Sequence, residues 1–259
     1  MTPKKQGFAP VNGLQMYYEI YGSGDPLVLI HGGGSTIESN WDIMIPLLAP
    51  SFEVIAIETQ SHGRTADIDR DFTFEQDADD IAALLKYLNI PKAHLFGFSN
   101  GGQIALQAAI RHPGIVKRLV IASAGYKREG FQSWFWPAMQ NPSVEHMPPQ
   151  LKEAFFKVTP DHGRFLKMFW RDANRMKAFQ SWKDEDIDSI RSPALVVGGD
   201  NDVITVEHTV EIFRRISGSK LAIFPGGHGD YLAENPGGYT DPELYKAFAN
   251  LVIAFLNEK

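Results

Sequence analysis

The 259-residue sequence contains no cysteine, which excludes disulfides, thiolate metal centres and a cysteine nucleophile while leaving the compartment open. It also lacks any apolar run approaching the ~20 residues that cross a bilayer. Lys4 and Lys5 near the start are not followed by the apolar stretch of a signal peptide, so a cytoplasmic protein without membrane contact is expected. Positive charge is scarce: 25 Lys and Arg against 31 Asp and Glu leave a net charge of -6, and no basic stripe offsets it, which argues against a nucleic-acid partner. No linker-like stretch, internal repeat or low-complexity segment divides the chain. One large domain with an insertion is expected, and nothing in the sequence speaks to oligomeric state.

What the chain does have is organised around Ala93-His-Leu-Phe-Gly-Phe-Ser99-Asn-Gly-Gly-Gln-Ile-Ala-Leu106. Residues 93 to 98 are apolar and aromatic, as in a buried strand, whereas Ile104, Ala105, Ala108 and Ala109 recur at helical spacing until Pro113. Ser99 therefore falls at a strand-to-helix corner between Gly97 and Gly101, the G-x-S-x-G pattern. Such a corner needs small neighbours where the two backbones approach. It presents the hydroxyl outward and leaves the Asn100 amide at a helix N-terminus, where unpaired N–H groups favour developing negative charge.

Strands and helices alternate around this unit. Leu14 to Tyr21, Leu27 to Ile30, Phe52 to Ile57, Ile115 to Ala122, Ser192 to Gly198 and Lys220 to Phe224 read as strands. Thr73-Phe-Glu-Gln76 has capping-box form ahead of the stripe Ile81, Leu84, Leu85, Leu88; Thr205 to Ser217 reads as a helix, as does the segment opened by Asp241-Pro242. The alternation predicts a mostly parallel sheet covered by helices on both faces. It is interrupted between residues 126 and 182, where a dozen aromatic residues gather in a stretch punctuated by Pro137, Pro142, Pro148, Pro149 and Pro160. Only short helices fit there, at 150–158 and 163–177. The expected domains are a core of residues 1–125 and 183–259 and an inserted helical cap of residues 126–182.

A serine hydroxyl needs a base, and the base an orienting group. His228 lies among glycines directly after the last strand, and Asp200 and Asp202 directly after the strand before it. The order Ser, Asp, His separates this arrangement from the other large triad groups. His31 and His62 lack carboxylates at ligand spacing and are assigned to loop structure, so no metal is expected. Asp200-Asn-Asp202 is too short for a calcium loop, and Gly32 to Gly34 lack the Gly-Lys-Ser/Thr of a phosphate loop.

On these residues the chain resembles the α/β-hydrolase superfamily over nearly its whole length, in particular its cap-bearing, serine-dependent esterases, carbon–carbon bond hydrolases and haloperoxidase-like members. The resemblance implies an α/β-hydrolase fold with the cap after the sixth strand. It implies Gly33 as the second oxyanion donor beside Asn100, with Gly34 a competitor, and Asp202, three residues after Gly199, as the acid in preference to Asp200. Ser61-His62-Gly63-Arg64 is similar to the family's Arg-Gly-His-Gly-Arg turn, with Gln60-Ser61 in place of Arg-Gly. Serine at position 99 separates the chain from dehalogenase and epoxide-hydrolase relatives, which carry aspartate there.

The expected function is cofactor-free hydrolysis of a small or medium acyl compound with an apolar portion, foremost a carboxylic ester, by Ser99, His228 and Asp202. Trp134 and Trp136, near the start of the insertion, are expected to contact substrate. Carbon–carbon cleavage of a diketone-like compound is the alternative within the class, and a non-catalytic binding protein the alternative outside it.

Overall fold

In the computed structural model, which describes residues 1–233 and 241–258, the described residues form one eight-stranded sheet. Its strands are β1 (Lys5–Val11), β2 (Leu14–Gly22), β3 (Asp25–Ile30), β4 (Phe52–Ile57), β5 (Ala93–Phe98), β6 (Val116–Ala122), β7 (Ala194–Gly199) and β8 (Lys220–Phe224). They lie in the order β1-β2-β4-β3-β5-β6-β7-β8. The β1–β2 and β2–β4 pairs are antiparallel and the remaining pairs parallel.

Strand β5 is buried along its whole length and β4 at every residue but Glu53, as continuous apolar runs require when both sheet faces are covered. One face carries α3 (Phe74–Tyr87), α4 (Asn100–Arg111) and α9 (Val206–Arg215) over a core that includes Ile81, Ile104 and Ile212. The other carries α1 (Ile37–Trp41), α2 (Met44–Leu48) and α10 (Pro242–Leu256) over Trp41, Phe96 and Phe248. Helix starts follow the expected chemistry. Thr73 accepts the Gln76 N–H, and Asp241 accepts the Glu243 N–H ahead of Pro242. The Gln76 side chain turns to Asp80 instead of back to the cap, so only half of a capping box forms.

The segment between β6 and β7 holds α5 (Phe135–Gln140), α6 (Pro149–Val158) and α7 (His162–Ala178), followed by the short α8 (Asp184–Asp188). Both expected helices are present, and α5 accommodates Pro137 because its first turn has no intrahelical N–H partner to lose. The segment has a small apolar cluster of its own: Met147, Phe155, Phe165 and Met168. Its two ends meet where the Trp182 N–H donates to the Tyr126 carbonyl at 2.8 Å.

Strand β1 lies outside the sequence expectation. It is an edge strand whose only buried residues are Ala9 and Val11, and Gly7 and Pro10 interrupt its alternation.

Candidate active site

The parallel strands end on one edge of the sheet, and three of the sequence-selected side chains converge there. Ser99 turns the chain from β5 into α4 with φ 54° and ψ −121°, a conformation that non-glycine residues adopt only where the surroundings enforce it. The surroundings are two backbone crossings. A Cβ on Gly97 would stand 2.0 Å from the Gly101 carbonyl oxygen, and one on Gly101 2.1 Å from that of Ile30. Both flanking positions therefore require glycine.

His228, in the loop after β8, places Nε2 2.9 Å from Ser99 Oγ and Nδ1 2.6 Å from Asp202 Oδ1. A carboxylate at Nδ1 holds the proton there and leaves Nε2 to accept one from the serine. Asp202 follows β7, with its other oxygen accepting from Ser123 Oγ and from the Gly199 N–H at 3.1 Å. Burial by itself would raise its pKa, but the charge and hydrogen bond of His228, with Ser123 and Gly199, push it down to about 2. Tyr231 completes this support, its hydroxyl 2.6 Å from Ser123 Oγ. Asp200, the competing acid, instead accepts the Gly226 N–H at 2.9 Å and is exposed at the turn.

The glycine loop after β3 lies beside the corner. Gly33 and Gly34 both line the cavity in front of Ser99, but the Gly34 amide is committed, donating its N–H to Asp172 Oδ2 at 2.7 Å. A side chain at Gly33 would come within 2.5 Å of Asn100 Nδ2.

Asp172 was not selected from the sequence. It projects from α7 and binds His62 Nε2 at 2.8 Å with one oxygen and Arg175 at 2.7 Å with the other. Arg175 also holds Asp77 of α3 at 2.6 Å, and its guanidinium lies over the rings of Phe72 and Phe74. His62 Nδ1 donates to the Gln60 carbonyl at 3.0 Å, so the proton it gives Asp172 makes it an imidazolium. Burial disfavours that charge, yet the Asp172 carboxylate outweighs it and holds the His62 pKa above its ordinary value. The same contacts, with Arg175, overcome burial at Asp172 and hold it well below the carboxylate range. His31, whose ring centroid is 4.7 Å from that of His62 with the two planes tilted by 50°, behaves oppositely. Burial pushes it down to about 3, and the neutral ring donates to the Gly32 carbonyl while accepting from Thr59.

Ser99 and His228 open into a cavity of ≈ 380 Å³. Most of its wall is apolar, with Phe131, Phe135, Met139, Leu151, Met168, Phe169 and Ile204 among the lining residues, and no lysine or arginine is among the described residues that line it. The two tryptophans expected at the substrate are not on that wall. Trp134 is 56% exposed, and Trp136 stacks on Phe179, donates from Nε1 to the Arg128 carbonyl at 2.6 Å and carries the Arg128 guanidinium over its ring. The aromatic excess pointed to the right segment, but the lining falls to neighbouring phenylalanines.

A mostly parallel sheet with a serine on a strained strand-to-helix corner, an aspartate after the next-to-last strand and a histidine after the last defines one class of protein. The chain belongs to the α/β-hydrolase family, whose model, described as alpha/beta hydrolase fold, matches residues 25–234. Among curated relatives it is similar to serine hydrolase BPHL of Homo sapiens, at 28% identity over 84% of this chain and 77% of that one. It is also similar to 2-hydroxymuconate semialdehyde hydrolase of Pseudomonas sp. CF600, at 30% identity over 92% and 88%. Among solved structures, a meta-cleavage product hydrolase from Pseudomonas fluorescens IP01 shares the fold with a TM-score of 0.80 and 24% identity, over 98% of each chain. No helix among the described residues is long and apolar enough to cross a membrane.

Proposed function

We propose that this α/β hydrolase cleaves uncharged carboxylic esters of small or medium size through an acyl-enzyme on Ser99. The observation that carries this reading is the continuous relay Ser99–His228–Asp202 opening into a cavity with no lysine or arginine among its described lining residues. Ser99 Oγ attacks the carbonyl as His228 Nε2 takes its proton, and Asp202 balances the imidazolium. The amides of Asn100 and Gly33 receive the developing oxyanion; the commitment of the Gly34 N–H to Asp172 favours Gly33 as the second donor. His228 then protonates the leaving alcohol, and water, activated by the same imidazole, releases the acid. The strain at Ser99 argues against a purely binding role, since such geometry is kept where the exposed hydroxyl is used.

Residues 126–182 act in this reading as a cap over the core formed by 1–125 and 183–259. Support comes from the joined ends of the segment, its separate apolar cluster and the side chains it contributes to the cavity wall.

The second reading, carbon–carbon bond hydrolysis, is favoured by the relative named for 2-hydroxymuconate semialdehyde. A muconate-type substrate carries a carboxylate, and the described lining offers that charge no lysine or arginine, which places the ester first. The test is stoichiometric labelling of Ser99 by a fluorophosphonate, followed by turnover of p-nitrophenyl esters of increasing acyl length beside a 2-hydroxy-6-oxodienoate. Unlabelled folded protein overturns the serine mechanism; preference for the dienoate overturns the ester.

A further inference from the structure

Two carboxamides on the cavity wall have no partner among the described residues. Asn100 and Gln103 line the cavity from the first turn of α4, where residues three apart share a face. They are 8% and 2% exposed. Neither side chain has a hydrogen-bond partner among the described residues, and Gln103 Nε2 is fully buried without one. Buried amides in this state are rare because each gives up its water without replacement. Asn100 Nδ2 lies against Gly33, beside the proposed oxyanion site. Gln103 stands about one helical turn further along, roughly 5 Å away by the α-helical rise.

The rest of the chamber limits what could satisfy these groups. A carboxylate or phosphate would meet no lysine or arginine among the described lining residues and would lie close to the Asp172 carboxylate. A plain hydrocarbon chain would leave both amides unpaired. A neutral oxygen, able to accept from an amide N–H, fits both conditions.

We propose that Asn100 and Gln103 form a subsite for a second, uncharged oxygen function of the substrate, a keto, ester or amide carbonyl a few bonds from the scissile carbonyl. The substrate class is then a neutral oxo-acyl compound rather than a simple alkanoyl ester. This inference rests on Ser99 being the nucleophile and names what its acyl partner carries.

The test compares p-nitrophenyl hexanoate with its 3-oxo, 4-oxo and 5-oxo analogues in the wild-type protein, Gln103→Leu and Gln103→Met. Leucine removes the amide and methionine does so while keeping the unbranched shape, so a packing defect specific to one is recognised from the other and from melting curves. The wild-type protein is expected to favour one oxo ester over hexanoate by about three- to tenfold in kcat/KM, the range of one neutral hydrogen bond. In both variants the ratio should fall to one or below, because the remaining apolar wall no longer rewards the oxygen. A wild-type ratio near one at all three oxo positions, or a preference that survives both substitutions, overturns the subsite. Fluorophosphonate labelling of the wild-type protein separates the two failures: labelled protein with flat ratios loses only the subsite, whereas unlabelled protein loses the serine mechanism beneath it.

Discussion

Two histidine–aspartate pairs lie close to the same cavity, and their surroundings differ. His228 meets Asp202 at 2.6 Å and His62 meets Asp172 at 2.8 Å. The His228 side chain is 29% exposed, and its second nitrogen faces Ser99 Oγ, a group with a proton to give. His62 is 1% exposed, and its second nitrogen is spent on the Gln60 carbonyl. Asp202 is supported by neutral donors, Ser123 and Gly199, while Asp172 is shared with Arg175 and Gly34. An imidazole between a carboxylate and a hydroxyl can take up and return a proton as charge moves. One between a carboxylate and a carbonyl stays charged and acts as a fastener, here joining α7 to the loop that follows β4. The residue pair is the same; the third partner and the access to solvent decide what it does.

The comparison is broken most severely by removing what only the first pair faces. Ser99→Ala is expected to fold and to lower kcat/KM for an ester by at least about 10⁴-fold, as loss of a triad nucleophile does elsewhere. Retention of more than about a tenth of wild-type activity, under 1.4 kcal/mol of transition-state stabilisation, would remove Ser99 from the mechanism. Asp202→Asn should cost about 10⁴-fold, because an amide can hold the imidazole in the wrong tautomer and cannot balance its charge. Asp200→Asn, at an exposed side chain that accepts the Gly226 N–H, should cost less than about threefold, in keeping with a surface substitution. Equal losses at 200 and 202 would dissolve the distinction between the two aspartates.

The second pair should instead answer in stability. Asp172→Asn leaves two buried cations facing an amide, and breaking a buried ion pair in this way costs about 3–5 kcal/mol. Its kcat/KM should fall much less than that of Asp202→Asn. The pH dependence follows from the directions of the shifts. His62 has its pKa raised from 6.5 in the folded protein, so its contribution is complete below about pH 6.5 and is lost as pH rises through the folded value. Asp172 has its pKa lowered from 3.8, so its contribution is complete above that value and is lost only in stronger acid. The melting-temperature gap between wild type and Asp172→Asn should thus be widest between about pH 4 and 6.5 and narrow at higher pH, without closing while Arg175 stays charged. A gap that widened from pH 6.5 to 9 would show that His62 is not the charged partner.

How far this pairing could be read from sequence differs between its halves for a physical reason. Ser99, Asp202 and His228 each follow directly on an apolar strand and sit near glycines, so periodicity locates the strand ends and the parallel sheet brings those ends together. Strand β4 was legible to the residue because its run Phe52–Ile57 is nearly unbroken and fully buried but for Glu53. Asp172 has no such marker. Its partners His62 and Gly34 are 110 and 138 residues away, and the helix that carries it reads from sequence as an amphipathic aromatic segment. Asn100 was selected for its backbone amide and Gln103 was visible only as part of the helix start, since what singles out their side chains is the lack of partners among the described residues.

The smallest expected effect concerns the aromatic wall, where adjacent residues divide between cavity and solvent. Phe135 and Phe169 line the cavity, whereas their chain neighbours Trp134 and Trp170 are 56% and 46% exposed. Consecutive helical positions point about 100° apart, so a composition count finds the segment but cannot choose between neighbours. Phe169→Ala and Phe135→Ala should therefore change the kcat/KM ratio of long to short acyl esters by about tenfold, the scale of one or two methylene contacts in an apolar pocket. Trp134→Ala should leave both that ratio and the melting temperature within error. Trp136→Ala should lower the melting temperature, since its ring is stacked on Phe179 and lies under Arg128, while leaving the ratio unchanged. Chain-length profiles and melting curves for the four variants separate wall from support. If Trp134→Ala shifted the profile as far as Phe169→Ala, the exposed tryptophan would have to fold onto the substrate when it binds, and the first assignment, made from its place at the start of the insertion, would be restored.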